Sequence, residues 1–467
     1  MTEAFRYDII VRYFCTFFTV LNGVEFLSKK AFIGVYGCQM NIADAERMEG
    51  VLGTLGYERI GEMQDADLIL LNTCCVRETA EDKVYGKIGE IKHIKQQNPQ
   101  LIFGITGCMA QKEGEALIKR APHIDFVLGT GRVAELGNVV KQLEDEQVHH
   151  FVDTTMDDAV EAASRMPVER EGTLSAWVPI MYGCNNFCTY CIVPYVRGRE
   201  RSRRPEEILA EVRDAAAKGF KEVTLLGQNV NSYGNDREDG MSFAELLTEV
   251  DNVEGIERVR YMTSHPKDLS DAVIEAVKNC KHICEHFHLP VQYGTDHLLH
   301  RMNRKYTVAQ YKALVERIRE AVPNASITTD LIVGFPGETD EDFQGMLDFL
   351  REVRYDAAYT FIYSRRSGTP AADMPDQIPE ELKKERLHKL MDVQNEISLA
   401  INEKLVGSEA EVLVEGPSRT DESVWTGRTR TSKIVLWPYT GKEQPGELRK
   451  VNITQAQTWL LKGTLAE

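Results

Sequence analysis

Three cysteines stand close together in Cys184-Asn-Asn-Phe-Cys188-Thr-Tyr-Cys191, directly after Gly183. Thiolates at these spacings fit one short loop, where they take three corners of a cubane iron–sulfur cluster and leave the fourth iron without a protein ligand. An open iron suits a chelating molecule that carries an amino and a carboxylate group. The competing chemistry is zinc, but structural zinc takes four ligands. No histidine or fourth cysteine follows nearby, so a cluster is expected. Cys38, Cys74 and Cys108 form a second group, far apart in sequence. Buried as small hydrophobes they would need no common setting, yet each falls just past the end of an expected strand. Cys75 is read as a bystander to Cys74. Cys280 and Cys284, with no third partner, are read as core or surface thiols.

The elements that would position these thiols follow from the apolar pattern. Strands are expected at Ala31–Gly37, Asp67–Asn72, Leu101–Thr106 and Asp125–Leu128, with helices at Ala43–Leu55, Glu78–Gln97 and Gln111–Lys119. Short apolar runs between helical stretches predict an open parallel α/β sheet over residues 31–150. The carboxyl edge of such a sheet is its ligand rim, which is where Cys38, Cys74 and Cys108 fall. Residues 151–172 are acidic, small and aperiodic, and are read as a linker. Strands near Val178–Met181, Glu222–Leu226, Arg258–Tyr261, Phe287–Pro290, Ser326–Val333 and Ala357–Tyr363 then alternate with helices. Six such units over residues 173–402 predict an incomplete (β/α)6 barrel of the TIM type, with function at the carboxyl ends of its strands. Pro379–Val406 reads as a charged amphipathic helix. From residue 403 to 467 the period changes to two, as in Ala410, Val412 and Val414, and this predicts a small antiparallel β-barrel.

Composition narrows the function. A net charge of −17 argues against a general nucleic-acid coat protein, which needs broad positive potential, but leaves room for one basic patch. Ten cysteines gathered in motifs fit metal-bound thiolates in a reducing cytoplasm better than a secreted disulfide scaffold. The apolar stretch Ile9–Phe26 is flanked or broken by Arg6, Asp8 and Arg12, and its core Tyr13–Leu21 is too short to span a membrane. Residues 1–30 are therefore read as an N-terminal extension, Cys15 as inert, and no membrane association is expected.

The central triplet on the first loop of a β/α barrel resembles the radical S-adenosylmethionine (SAM) superfamily over roughly residues 175–400. That resemblance implies a [4Fe–4S] cluster on Cys184, Cys188 and Cys191 with SAM on its open iron. It further implies SAM contacts from Tyr190, from Gly227, Gln228 and Asn229 after the second strand, and from Ile332, Gly334 and Glu338 in Ile332-Val-Gly-Phe-Pro-Gly-Glu338. Tyr36-Gly-Cys38-Gln-Met-Asn41, Asn72-Thr-Cys74-Cys75 and Gly107-Cys108-Met-Ala-Gln111 together resemble the methylthiotransferase family, whose terminal barrel is an RNA-binding TRAM domain. This implies a second [4Fe–4S] cluster on Cys38, Cys74 and Cys108. The implied reaction replaces an aromatic C–H by C–S–CH3. Acid–base catalysis offers no route to such a carbon; a radical from SAM does, and the second cluster would carry the sulfur. Cys191-Ile-Val-Pro-Tyr-Val-Arg-Gly-Arg-Glu200 looks most like the branch acting on isopentenyladenosine beside the tRNA anticodon. The alternatives are threonylcarbamoyladenosine in tRNA, a ribosomal-protein aspartate, and, in a different class, an iron–sulfur redox RNA-binding protein without radical chemistry.

For RNA, Arg197, Arg199, Arg201, Arg203 and Arg204 crowd beside the cluster loop, opposed only by Glu200. Guanidinium groups suit phosphate, although a run of charge is also the ordinary signature of a solvated face. Trp425, Arg428, Arg430 and Lys433 in the terminal barrel are compatible with stacking and phosphate contact. An anticodon stem-loop presents unstacked bases at low cost. A monomer drawing electrons from a flavodoxin- or ferredoxin-type donor completes the expectation.

Overall fold

A computed structural model describes residues 28–75, 78–156, 159–170, 172, 174–238 and 240–466. The extension with Cys15 lies almost wholly outside the described residues. The first layer is a six-stranded, all-parallel sheet in the order β2-β1-β3-β4-β5-β6. Its strands are β1 (Lys29–Val35), β2 (Tyr57–Arg59), β3 (Leu68–Thr73), β4 (Ile102–Gly107), β5 (Phe126–Leu128) and β6 (Phe151–Asp153). Leu68, Ile69, Leu70 and Leu71 in β3 are wholly buried, as befits a central strand covered on both faces. Each is worth about 1.5–3 kcal/mol of burial. Two short strands, β2 and β6, were not expected from the pattern. β6 falls inside the segment read as a linker, so the sheet extends to Asp153, and Ala159–Ser164 is a helix.

The middle of the chain supplies six strands parallel to their neighbours: β7 (Ser175–Pro179), β10 (Glu222–Leu226), β11 (Arg258–Tyr261), β12 (His286–His288), β13 (Ser326–Val333) and β14 (Ala357–Ile362). They form two three-stranded arcs joined by a parallel bridge between Val259 and Ile283. A short antiparallel pair, β8 (Met181–Tyr182) and β9 (Arg201–Ser202), brackets the central cysteine loop. A long helix, Glu380–Glu403, leads to a closed five-stranded barrel of β15 (Glu409–Ser418), β16 (Asp421–Thr429), β17 (Ile434–Pro438), β18 (Leu448–Ala456) and β19 (Leu460–Leu465). This barrel is not purely antiparallel: β17 and β19 run parallel. Among the described residues no helix is long and apolar enough to cross a membrane.

The helix Gln39–Thr54 is buried on two sides. Ala45, Met48 and Leu52 face the core of the N-terminal sheet, while Met40 and Ala43 pack with Trp177, Tyr182 and Leu226 of the partial barrel. A helix wedged this way covers much of its surface, so Asp44 and Arg47 are buried too and need partners. Those partners tie the sheet to the barrel.

Candidate active site built on two cysteine triplets

Cys38, Cys74 and Cys108 sit where β1, β3 and β4 end. Cys38 caps the helix Gln39–Thr54, and Cys108 opens the helix Cys108–Glu113. Two asparagines lock these loops together. Asn41 Nδ2 donates to Asn72 Oδ1 (2.9 Å) and to the Thr73 carbonyl (3.1 Å), and Asn72 Nδ2 donates back to the Asn41 carbonyl (2.8 Å). Gly107 holds a left-handed φ of +90°, and a Cβ there would meet the Thr73 carbonyl oxygen at 2.3 Å. Cys74 and Cys108 are buried, whereas Cys38 is exposed.

The central loop is anchored from several sides. Gly183, at φ +77°, would place a Cβ 2.0 Å from the Arg199 carbonyl oxygen, and its N–H donates to Gln228 Oε1 at 2.5 Å. The Cys184 N–H donates to the Gly198 carbonyl at 3.1 Å, and the Thr189 N–H to that of Met302 at 3.1 Å. Asn303 Nδ2 donates to the Phe187 carbonyl at 2.8 Å. Burial pushes the Cys184 thiol up to about 11 and the Cys191 thiol up to about 12. Iron must therefore displace protons there, and loading gains from higher pH. Cys108 is held below the ordinary thiol range, first by a hydrogen bond from Cys75 and, against its burial, by the Arg197 guanidinium.

Among the described residues no three potential ligands converge on one point. A mononuclear ion asks for convergence, whereas a cubane takes one thiolate at each of three separate irons. The donor set, three soft thiols at each site, fits the cluster. The fit to SAM rests on two buried donors at the carboxyl ends of β10 and β11. Asn231 Nδ2 and His265 Nε2 have no hydrogen-bond partner among the described residues. His265 Nδ1 accepts from the Lys267 N–H at 3.3 Å, which leaves the ring proton on Nε2. Burial holds this imidazole down at about 2, so it stays neutral. Two unspent N–H donors suit an acceptor-rich group such as a carboxylate. Neither residue was singled out from the sequence, because an orphaned donor is a property of packing.

Several expected contacts are spent elsewhere. Asn229 Nδ2 donates to Asp268 (2.8 Å) while its Oδ1 accepts from the His265 N–H (3.1 Å). Glu338, wholly buried, accepts from Tyr293 (2.5 Å), the Gly334 N–H (2.6 Å) and Arg386 (2.8 Å). Both hold loops in place through these contacts within the protein. A Cβ on Gly334 would meet Lys383 at 2.3 Å, so this glycine lets the helix Glu380–Glu403 approach. Ile332 is half-buried on β13, Gly227 packs against Met181, and the Tyr190 hydroxyl lies 3.3 Å from Arg304.

The arginine run divides. Arg197 and Arg203 are buried, paired with Asp44 at 3.0 Å and Glu211 at 2.7 Å. Arg197 ties the middle domain to the N-terminal one, Arg203 is held within the middle domain, and both guanidinium groups are taken up by protein partners. Arg201 is half-buried and reaches the Arg197 carbonyl. Arg199 and Arg204 are exposed, Arg199 lying over the Phe187 ring at 4.3 Å. In the terminal barrel Arg430 grips Glu285 and the Lys281 and Ile283 carbonyls, Lys433 pairs with Asp356, and Arg428 pairs with Glu415. Arg430 and Lys433 thus bind the barrel to the middle domain, and Trp425 is stacked on Tyr439. Charged residues that read as phosphate contacts are consumed at an interface that the sequence could not reveal.

The two triplets meet through the segment after Cys191. Ile192 and Val196 pack in one cluster with Cys75 and Cys108, Thr130 Oγ1 donates to the Val196 carbonyl at 2.5 Å, and Arg197 pairs with Asp44. Arg366 closes the other side by donating to the Cys75 carbonyl at 3.1 Å.

Comparison with known proteins agrees with this division. Three family models match: Radical SAM superfamily over residues 178–350, Uncharacterized protein family UPF0004 over 30–129, and TRAM domain over 403–466. The first implies a [4Fe–4S] cluster and SAM. A radical S-adenosylmethionine methyltransferase from Kitasatospora setae, solved with cobalamin and a [4Fe–4S] cluster bound, superposes with a TM-score of 0.55. It does so at 14% identity over 86% of this chain and 81% of that one, a likeness of fold alone. The tRNA-2-methylthio-N(6)-dimethylallyladenosine synthase of Carboxydothermus hydrogenoformans is 51% identical over 440 residues, covering 94% of this chain and 99% of the relative. That of Moorella thermoacetica is 50% identical over 443 residues, again covering 94% and 99%. With three domain types in one order and half of all positions shared over nearly full length, the chain belongs to the tRNA-2-methylthio-N(6)-dimethylallyladenosine synthase family.

Proposed function

We propose that the chain converts N6-isopentenyladenosine beside the tRNA anticodon, at position 37, to its 2-methylthio derivative. The observation that carries this reading is the joint between the triplets: Ile192, Val196 and Arg197, immediately after Cys191, pack on Cys108, Cys75 and Asp44. Two thiol-bound sites so joined serve one substrate atom, as a reaction that both activates a C–H bond and delivers sulfur requires. When bound, the cluster on Cys184, Cys188 and Cys191 with SAM supplies hydrogen abstraction, and a second cluster on Cys38, Cys74 and Cys108 supplies sulfur.

The chain's own residues do the rest. Asn41 and Asn72 keep the N-terminal thiols in register, Gln228 and Asn303 hold the central loop, and Asn231 with His265 offers donors to the SAM carboxylate. Exposed Arg199 and Arg204 beside the loop meet phosphate, and Tyr195, exposed and edge-on to Phe187 at 5.9 Å, provides an aromatic face for a splayed base. Electrons come from a low-potential flavodoxin- or ferredoxin-type donor.

The test uses anaerobically reconstituted protein with SAM, dithionite, sulfide and tRNA bearing isopentenyladenosine, followed by nucleoside mass spectrometry. A nucleoside heavier by one methylthio group is expected. Deoxyadenosine without that nucleoside would move the substrate to threonylcarbamoyladenosine or a ribosomal protein, and neither product would leave an electron carrier. A Cys38→Ala variant is expected to keep deoxyadenosine formation and lose sulfur insertion.

A further inference from the structure

Among the described residues, every buried arginine but one has a carboxylate beside it. Arg47 and Arg203 pair with Glu211, Arg197 with Asp44, Arg258 with Glu411, Arg260 with Glu222, and Arg386 with Glu338. Arg304 alone, among the described buried arginines, has none. Its Nη1 lies 3.3 Å from the Cys188 sulfur and 3.3 Å from the Tyr190 hydroxyl, its Nη2 donates to the Pro290 carbonyl at 2.7 Å, and its Nε reaches the Tyr306 hydroxyl at 2.8 Å. Arg304 is buried, and its guanidinium, with only neutral oxygens and one thiol around it, is a charge without a counter-ion, an arrangement that burial disfavours. The cost is met when Cys188 is a thiolate in a cluster.

The N-terminal triplet also has a buried arginine near a ligand sulfur, since Cys108 packs on Val196, the residue before Arg197, and the Arg197 charge bears on its thiol. There the charge is already cancelled by Asp44 at 3.0 Å. Three thiolates on an oxidised [4Fe–4S] core leave one net negative charge, and one-electron reduction makes it two. A nearby uncompensated cation favours the reduced form, and a cancelled one does so far less.

Building on the two-cluster reading above, we propose that Arg304, unpaired beside Cys188, and the neutral Arg197–Asp44 pair beside Cys108 set the two sites apart in redox poise. The incoming electron then goes to the central site, where SAM is cleaved, and the sulfur-carrying site stays oxidised. Both arginines act through the ligand sulfur as positioning residues.

The experiment is an EPR-monitored redox titration of the reconstituted full-length protein without SAM, with iron and sulfide content measured on each sample. Cys38→Ala and Cys184→Ala samples assign the two signals. In the wild type the central signal is expected to appear first on reduction. Arg304→Met is expected to lower the central potential by about tenfold in the one-electron equilibrium, about 59 mV, with iron content unchanged. Arg304→Lys, which keeps the charge, recovers most of that shift. Asp44→Asn, which frees the charge of Arg197, raises the N-terminal potential. Equal shifts in the Met and Lys variants, or no shift in either Arg304→Met or Asp44→Asn at full iron content, would overturn the proposal. So would a shift in Arg304→Met that appears only after SAM is added, because the charge would then answer SAM. Wild-type protein holding a single cluster would instead sink the two-cluster reading itself.

Discussion

Glu211 is the residue whose loss the structure makes most consequential outside the cysteine loops. It lies on the helix Pro205–Ala217 and takes three arginines from three parts of the chain. Arg47 comes from the helix begun by Cys38, at 2.9 Å, Arg203 from beside β9, at 2.7 Å, and Arg170 from the segment joining the domains. Their side chains are 1%, 1% and 3% exposed, and that of Glu211 is 9%. Against the desolvation that burial imposes, these arginines hold the Glu211 carboxyl down from 4.5 to about 2, a difference worth about 3 kcal/mol. Removing one partner of a buried pair costs about 3–5 kcal/mol, so two independent routes agree. Glu211→Ala is therefore expected to remove about 3–5 kcal/mol, and it does so at the joint between the sheet and the partial barrel. Urea unfolding followed by tryptophan fluorescence reads the loss, because Trp177 packs in that joint. A first transition at lower urea should report the domains parting before either unfolds. Glu211→Gln, which keeps shape and loses charge, should fall between wild type and Ala. Adding Arg47→Met to Glu211→Ala should recover part of the loss, since one stranded cation is removed. A cost below about 1 kcal/mol, the scale of surface pairs, would refute the reasoning.

Other outcomes follow from single contacts. Gly183→Ala forces a Cβ to 2.0 Å from the Arg199 carbonyl at φ +77°, and should abolish cluster loading at the central triplet, read as halved iron content. His265 and His286 are held by burial at about 2 and about 3, so each stays neutral in the fold while the unfolded chain protonates below about 6.5. Their contribution is complete above about pH 6.5 and is lost as pH falls toward 3, by up to about 1.4 kcal/mol per pH unit for each. Thermal melts between pH 7 and 4 should show this fall, and His286→Gln should flatten it. Arg430→Ala should lower stability by about 1–2 kcal/mol, because the half-buried Glu285 loses its charged partner, yet leave the salt slope of tRNA binding unchanged. Arg199→Ala and Arg204→Ala should do the reverse, each reducing that slope by about one.

How far the sequence speaks depends on the range of the interaction. The parallel sheet, the six β/α units and the change to period two at Ala410 were legible because burial of alternate or continuous apolar residues is written locally. Cysteine spacing likewise declared a three-thiol loop before any fold was known. Short pieces such as β2 and β6, three residues each, carry too little pattern to register, and the parallel β17–β19 pair depends on how the terminal barrel closes.

The fate of charged residues lay beyond the sequence. Arg197, Arg199, Arg201, Arg203 and Arg204 look alike in a string, but a guanidinium becomes a phosphate ligand or an internal tie according to which carboxylate the fold brings within about 3 Å. Only the tertiary structure brought Asp44 to Arg197, Glu211 to Arg203 and Glu285 to Arg430. It also left Arg304 with a cysteine sulfur and no carboxylate, and Asn231 and His265 with donors unspent. Residue type determined what chemistry each side chain could offer. Burial and long-range partners decided which of those capacities were used up by folding and which remained for function.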